Sequence, residues 1–168
     1  MKPLAWMAIP LTQGLYALVD GEDYGWLNQH KWCVTKPKTG HTYYAMRVSS
    51  KKTIEMHWEI LGLEKGDKQW SDHQNGNGLD NRRCNLRPCI SSQNHQNQKP
   101  IRGGTSKYKG VSWHKNAGKW QAHIKYYGKS KNLGYFSSEI EAAKAYNRAA
   151  KELFGEFAWL NEVNNNGH

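Results

Sequence analysis

The chain has 168 residues, which suits one ordinary domain or two small ones, and several short modules fit as well as a single large core, so thin cores are expected. Hydrophobic residues make up 38% of it with no run of about eighteen apolar residues, which excludes a helical membrane span. The net charge is +10 and unevenly placed: from Asn81 to Ser138 there is no Asp or Glu, against twelve Lys and Arg. A stretch of one sign interleaved with Trp and Tyr suits a phosphate backbone, because Lys and Arg displace condensed counterions while neutral polar side chains reach bases. The alternative is a solvated basic face. The stretch alternates with period two, so it is not a basic amphipathic helix for a membrane surface.

Taken in chain order, "MKPLAWMAIPLTQG" has one Lys and a short apolar patch broken by prolines, without the continuous apolar core of a secretory signal, so a cytoplasmic protein is expected. Residues 9 to 61 read as a small α+β unit. "YALVD" (16–20) and "KWCVT" (31–35) are strands, "GEDYGWLNQH" between them is a short helical turn, and "PKTG" turns into "HTYYAMRVSS". "TIEMHWEILGL" reads as a strand running into a short helix that Gly62 ends. Cys33, Cys84 and Cys89 are odd in number and contain no CxxC pair, so free thiols are expected; a zinc site on Cys84 and Cys89 lacks the usual spacing and a fourth ligand.

From 71 the pattern is strand, long polar loop, short strand, helix. The loop "QNGNGLDNRR" carries two Asn-Gly dipeptides, and both residue types tolerate positive φ. Ser91 or Ser92 caps a helix containing Asn94 and Asn97, and "KPIRGGTS" then supplies a linker, placing a domain boundary near 101. Beyond it, Val111 and Trp113 alternate with Ser112 and His114, and Trp120, Ala122 and Ile124 alternate with Gln121, His123 and Lys125. These are half-buried antiparallel strands with one polar face. "KNAG" and "YYGK" are the turns, and "KSKNLGYF" is a third strand. Ser138 with Glu141 forms a capping box, and Ile140, Ala143, Tyr146, Ala149, Ala150 and Leu153 line one helix face until Gly155. The expected fold class is α+β: a small amino-terminal α+β region, a ββα module, and a three-stranded antiparallel sheet packed on one helix.

Asp72-His73, followed by Asn85, Asn94 and the loop "NGNGLDNRRCNL", resembles the HNH endonuclease motif in its His-Asn-Asn variant. The block from "SKYKGVSWH" to "FGEFAWLN" is similar to the DNA-binding domain of the plant ethylene-response factors, the APETALA-two domain. Together they resemble the HNH homing-type endonucleases of phages and mobile introns. The resemblance implies a nuclease module in residues 1–100 with its motif at 71–98, a linker at 101–105, a DNA-binding domain at 106–161 and a flexible tail at 162–168.

It also implies roles. His73 is the general base, Asn85 orients the histidine or the loop, and Asp72 with Asn94 ligates a divalent cation, Mg²⁺ or another such as Mn²⁺. The chemistry agrees: phosphodiester hydrolysis needs an activated water and a cation at the developing charge, and a carboxylate with an amide oxygen suits a hard cation. His57 sits in an apolar segment and reads as a packed or hydrogen-bonded core histidine. On the sheet, Lys109, Ser112, His114, Lys119, His123, Lys125 and Asn132 would face DNA; Ser112 and Asn132 stand where the plant proteins have Arg and Trp, so a different target is expected.

Within this pattern Ser71 replaces an apolar strand residue, Pro88 interrupts the second strand, Trp58 replaces a basic residue and Cys84 a small polar one. The partner expected is double-stranded DNA, with no membrane and no obligatory protein partner, acting as a monomer in a bacterial or phage-infected cell. The alternative is a DNA-binding protein whose nuclease site has decayed. A zinc nucleobase deaminase, suggested by "HWE" and "PC", fails because position 92 is Ser92 where a second Cys is needed.

Overall fold

The computed structural model describes residues 5–36, 42–64, 68–99 and 103–163. The turn expected at 37–40, part of the linker expected at 101–105 and most of the tail expected at 162–168 lie outside the described residues. The protein is mixed α+β, and its chain divides into two compact units, Met1–His95 and Gln96–His168. No helix among the described residues is long and apolar enough to cross a membrane.

In the first unit, strands β1 (Trp6–Pro10) and β2 (Tyr16–Asp20) form an antiparallel hairpin. β1 is absent from the sequence reading because prolines flank it; Pro10 is its last residue, on a two-stranded sheet where a missing N–H is tolerated. Helix α1 (Gly21–Leu27) follows, with Glu22 and Asp23 favourably placed in its first turn. Strands β3 (Cys33–Thr35), β4 (Tyr44–Ser49) and β5 (Lys52–Glu55) make an antiparallel meander.

β5 runs directly into helix α2 (Met56–Leu61), as expected, and Gly62 ends it at φ +66° with its N–H on the carbonyls of Trp58 and Glu59. Hairpin β6 (Trp70–His73) and β7 (Leu86–Cys89) then leads to helix α3 (Ser91–Gln96). Asn97, expected inside that helix, lies one residue past its end. One core joins these pieces: Ile9, Val19, Leu27, Trp32, Ala45, Met56, Ile60 and Leu86 are all buried in a single cluster. The amino-terminal strands are thus the wall on which the β6–β7 hairpin rests.

The second unit has strands β8 (Val111–His114), β9 (Lys119–Tyr126) and β10 (Lys129–Phe136) in the order β10-β9-β8, all antiparallel. Helix α4 (Glu139–Phe154) covers one face, and Ser138 caps it by accepting the N–H of Ile140. The fully buried Ala142, Ala143 and Ala150 let helix and sheet approach closely, and Val111, Ala122 and Ile124 meet them. The approach leaves no room at Gly110: its φ is +73°, and a Cβ there would fall 2.1 Å from the Tyr146 ring. Gln96 and Gln98, expected ahead of the linker in the first domain, are bonded into this second unit through their carbonyls.

Candidate functional site

Asp72 and His73 are consecutive on β6, so they point to opposite faces of the hairpin. On one face the register sets Trp70 opposite Cys89 and Asp72 opposite Arg87. The Arg87 guanidinium donates from Nε at 2.8 Å and Nη2 at 2.6 Å to Asp72 Oδ2, and both residues are buried. Burial, with the Asp72 charge behind it, pushes the Cys89 thiol up to about 11, while the Asn94 backbone N–H opposes the shift. Asn94 is half-buried on helix α3. Among the described residues no group of three or more His, Cys, Asp or Glu could hold a metal.

His73 occupies the other face, buried. Its Nε2 lies 3.2 Å from Asn81 Oδ1. An amide oxygen only accepts, so Nε2 carries the proton and Nδ1 keeps the lone pair in the neutral ring. Burial, reinforced by neighbouring His57, lowers its pKa to about 4, so the ring is neutral at physiological pH. The His57 ring stands edge-on at 4.9 Å between centroids, and Tyr44 lies 5.5 Å from His57 and 5.8 Å from His73. His57 Nε2 contacts Glu55 Oε2 at 2.9 Å. Buried and hydrogen-bonded, His57 meets the expectation for a core histidine, and it also touches the proposed base.

Asn85 holds the loop, not the histidine. Its Oδ1 accepts the Asn75 N–H at 3.0 Å and its Nδ2 donates to the Asp80 carbonyl at 2.7 Å. Asp80 in turn takes two bonds from Arg82 and one from Asn75, which holds its carboxyl below the usual range, chiefly through Arg82. Of the two loop glycines, Gly76 supplies a positive φ of +67°, whereas Gly78 is needed for closeness: a Cβ there would fall 2.4 Å from the Tyr43 carbonyl oxygen. Leu18 N–H donates to Leu79 O, Asn81 N–H donates to Leu18 O, and Arg83 reaches Asp20 and Asp23. The two odd residues of the hairpin, Ser71 and Pro88, pair directly, and the Ser71 hydroxyl is buried without a hydrogen-bond partner among the described residues.

On the second unit, the sheet face turned from α4 sets Ser112 and Tyr135 beside Gln121, Asn132 beside His123, Ser130 beside Lys125, and His114 beside Lys119. His114 Nδ1 accepts the Ala117 N–H at 3.1 Å, which leaves Nε2 as the donor, and Tyr135 packs on its ring at 5.1 Å. Asn132 Oδ1 accepts from Gly134 across a β-bulge. Lys109 departs from the expectation. It precedes β8, and its ammonium donates to Gln96 O at 2.6 Å and Gln98 O at 2.7 Å, while burial lowers its pKa to about 8. Its backbone N–H and carbonyl are both taken by the Asn161 side chain.

Residues 106–156 match the AP2 domain, which implies DNA binding. Protein 3.8 of Escherichia phage T7 is 35% identical over 103 residues, covering 60% of this chain and 83% of that protein. The chain belongs to the family of phage T7 Protein 3.8. A more distant relative, the uncharacterized HNH endonuclease L560 of Acanthamoeba polyphaga mimivirus, is 26% identical over 151 residues, covering 90% of this chain and 77% of that protein. The AP2-like ethylene-responsive transcription factor TOE2 of Arabidopsis thaliana is 40% identical over 62 residues, only 13% of its own length. This member of the Protein 3.8 family thus joins an AP2 domain to a region resembling an HNH endonuclease.

Three residues of the first unit escape the sequence reading: Asn81, Arg87 and Glu55. Asn81 hides in a turn-like "LDNRR" run, and Arg87 reads as one more basic residue. Only the register that sets Arg87 opposite Asp72, and the loop that folds Asn81 back on His73, expose them.

Proposed function

We propose that this protein is a metal-dependent DNA endonuclease of HNH type, held on duplex DNA by its AP2 domain. The observation that carries the reading is His73: a buried, neutral imidazole with its proton fixed on Nε2 by Asn81. In the AP2 domain, Lys119, Lys125, His123 and the Nε2–H of His114 lie on the face turned from α4, where charge positions the backbone and donors meet base acceptors.

In the proposed reaction His73 Nδ1 takes a proton from the attacking water as the new phosphorus–oxygen bond forms and the bond to the 3′ oxygen breaks. Its low pKa makes it a weak base in the free protein; the negative charge of an approaching phosphodiester raises it toward the working range. Asp72 and Asn94 would hold a hard divalent cation such as Mg²⁺ or Mn²⁺. Bound there, it supplies charge stabilisation at the phosphate and the departing oxygen. The donors fit that chemistry on condition that Arg87 gives up or shares Asp72 Oδ2.

The Arg87–Asp72 pair favours a second reading, in which the guanidinium has replaced the cation and the protein only binds DNA. Supercoiled plasmid incubated with Mg²⁺ and either wild type or His73→Ala separates the two. The nuclease reading expects nicking by wild type and a loss of about 10²–10⁴-fold in the variant. Equal nicking by both, or by neither, refutes it.

A further inference from the structure

We infer that Glu55 and His57 are positioning residues for His73, forming a chain in which Glu55 fixes His57 and the edge of His57 fixes the ring of the base. The inference rests on the nuclease reading given above for His73.

The geometry starts at the β5–α2 junction, where Glu55 is the last strand residue and His57 the second of the helix. That junction places the Glu55 carboxylate 2.9 Å from His57 Nε2, with the carboxylate half-exposed and the imidazole buried. A carboxylate accepts, so His57 carries its proton on Nε2, and its Nδ1 lone pair is turned inward without a hydrogen-bond partner among the described residues. Asn81 Nδ2, on the amide that holds His73, is likewise buried without one. The orphaned Nδ1 is a cost that an apolar packing residue at 57 would have avoided, and a purely packing role does not account for it.

The electrostatics run the same way. Glu55 is held below its ordinary range, first by the hydrogen bond from His57 and against the opposing effect of burial, so it is an anion at neutral pH. Asp80 is engaged by Arg82 and Asn75, whereas the carboxylate that bonds His57 is Glu55.

The test uses the full chain, with Glu55→Gln, Glu55→Asp and His73→Ala assayed beside wild type for plasmid cleavage, thermal midpoint and DNA affinity. The ring nitrogens of His57 are assigned by long-range ¹⁵N NMR. Glu55→Gln is expected to lower kcat about 10- to 100-fold, as loss of an orienting partner does, with KM and thermal midpoint unchanged and partial recovery in Glu55→Asp. His57 is expected to carry its proton on Nε2. If Glu55→Gln cuts at the wild-type rate while His73→Ala does not cut, the positioning role is overturned and the nuclease reading survives. A kcat loss matched by a fall in thermal midpoint and not recovered in Glu55→Asp overturns it in favour of a structural role. A wild type no faster than His73→Ala removes both. Protonation of His57 on Nδ1 overturns the inference whatever the cleavage shows.

Discussion

Lys109→Met distinguishes a lysine that reads DNA from one that locks the domain. The ammonium makes two bonds to backbone carbonyls, at Gln96 and Gln98. Charge-assisted bonds contribute about 1.5–3 kcal/mol each, so the pair contributes about 3–6 kcal/mol. Against that, burial lowers the pKa from 10.5 to about 8, which corresponds to a cost of about 3 kcal/mol for keeping the charge. The balance leaves about 0–3 kcal/mol in favour of lysine, and urea unfolding of wild type and variant measures it. DNA affinity measured against salt supplies the second readout. Removing a lysine that neutralises a phosphate reduces the slope of log K on log salt by about 0.9, which is the expectation for Lys125→Met. Lys109→Met is expected to leave that slope unchanged while lowering stability. A slope reduced as in Lys125→Met, with stability intact, refutes the lock.

Other expectations follow from the same structure. Because the folded pKa of Lys109 lies below the unfolded value, the unfolded chain binds more protons between about pH 8 and 10.5, so wild-type stability relative to Lys109→Met should rise with pH across that window, by up to about 3 kcal/mol; denaturant midpoints at several pH values check it. Ser71→Ala removes a buried hydroxyl without a partner and should stabilise the protein by about 1 kcal/mol in urea melts. Tyr127 and Gly128 form the two-residue β9–β10 turn with φ of +46° and +77°; Tyr127→Asn relieves the strained tyrosine and should gain about 0.5–1 kcal/mol by thermal denaturation.

Local chemistry was legible in the chain. The β5–α2 junction shows because Gly62 punctuates it, and the second unit shows because period two runs cleanly through 111–114 and 119–126 before period 3.6 takes over at 139. What escaped depends on contacts distant in sequence. Lys109 looks like a strand lysine until carbonyls eleven and thirteen residues earlier close on it. His57 looks like core until β6 sets His73 against its ring, and Asn85 reads as holding either the histidine or the loop until the fold gives it the loop and gives Asn81 the histidine. Arg87 could have been suspected, since a buried acid opposite a basic residue pairs with it, but only the register says which base stands opposite.

The ladder between β2 and residues 79–81 bears on how such a gene can be shuffled. Leu18 donates to Leu79 and accepts from Asn81, and that same Asn81 holds His73. A recombination event that carried only the codons for residues 70–98 into a new host protein would bring the histidine without the backbone that shapes its loop. A unit that carries His73 with its partner Asn81 in place therefore begins no later than β2.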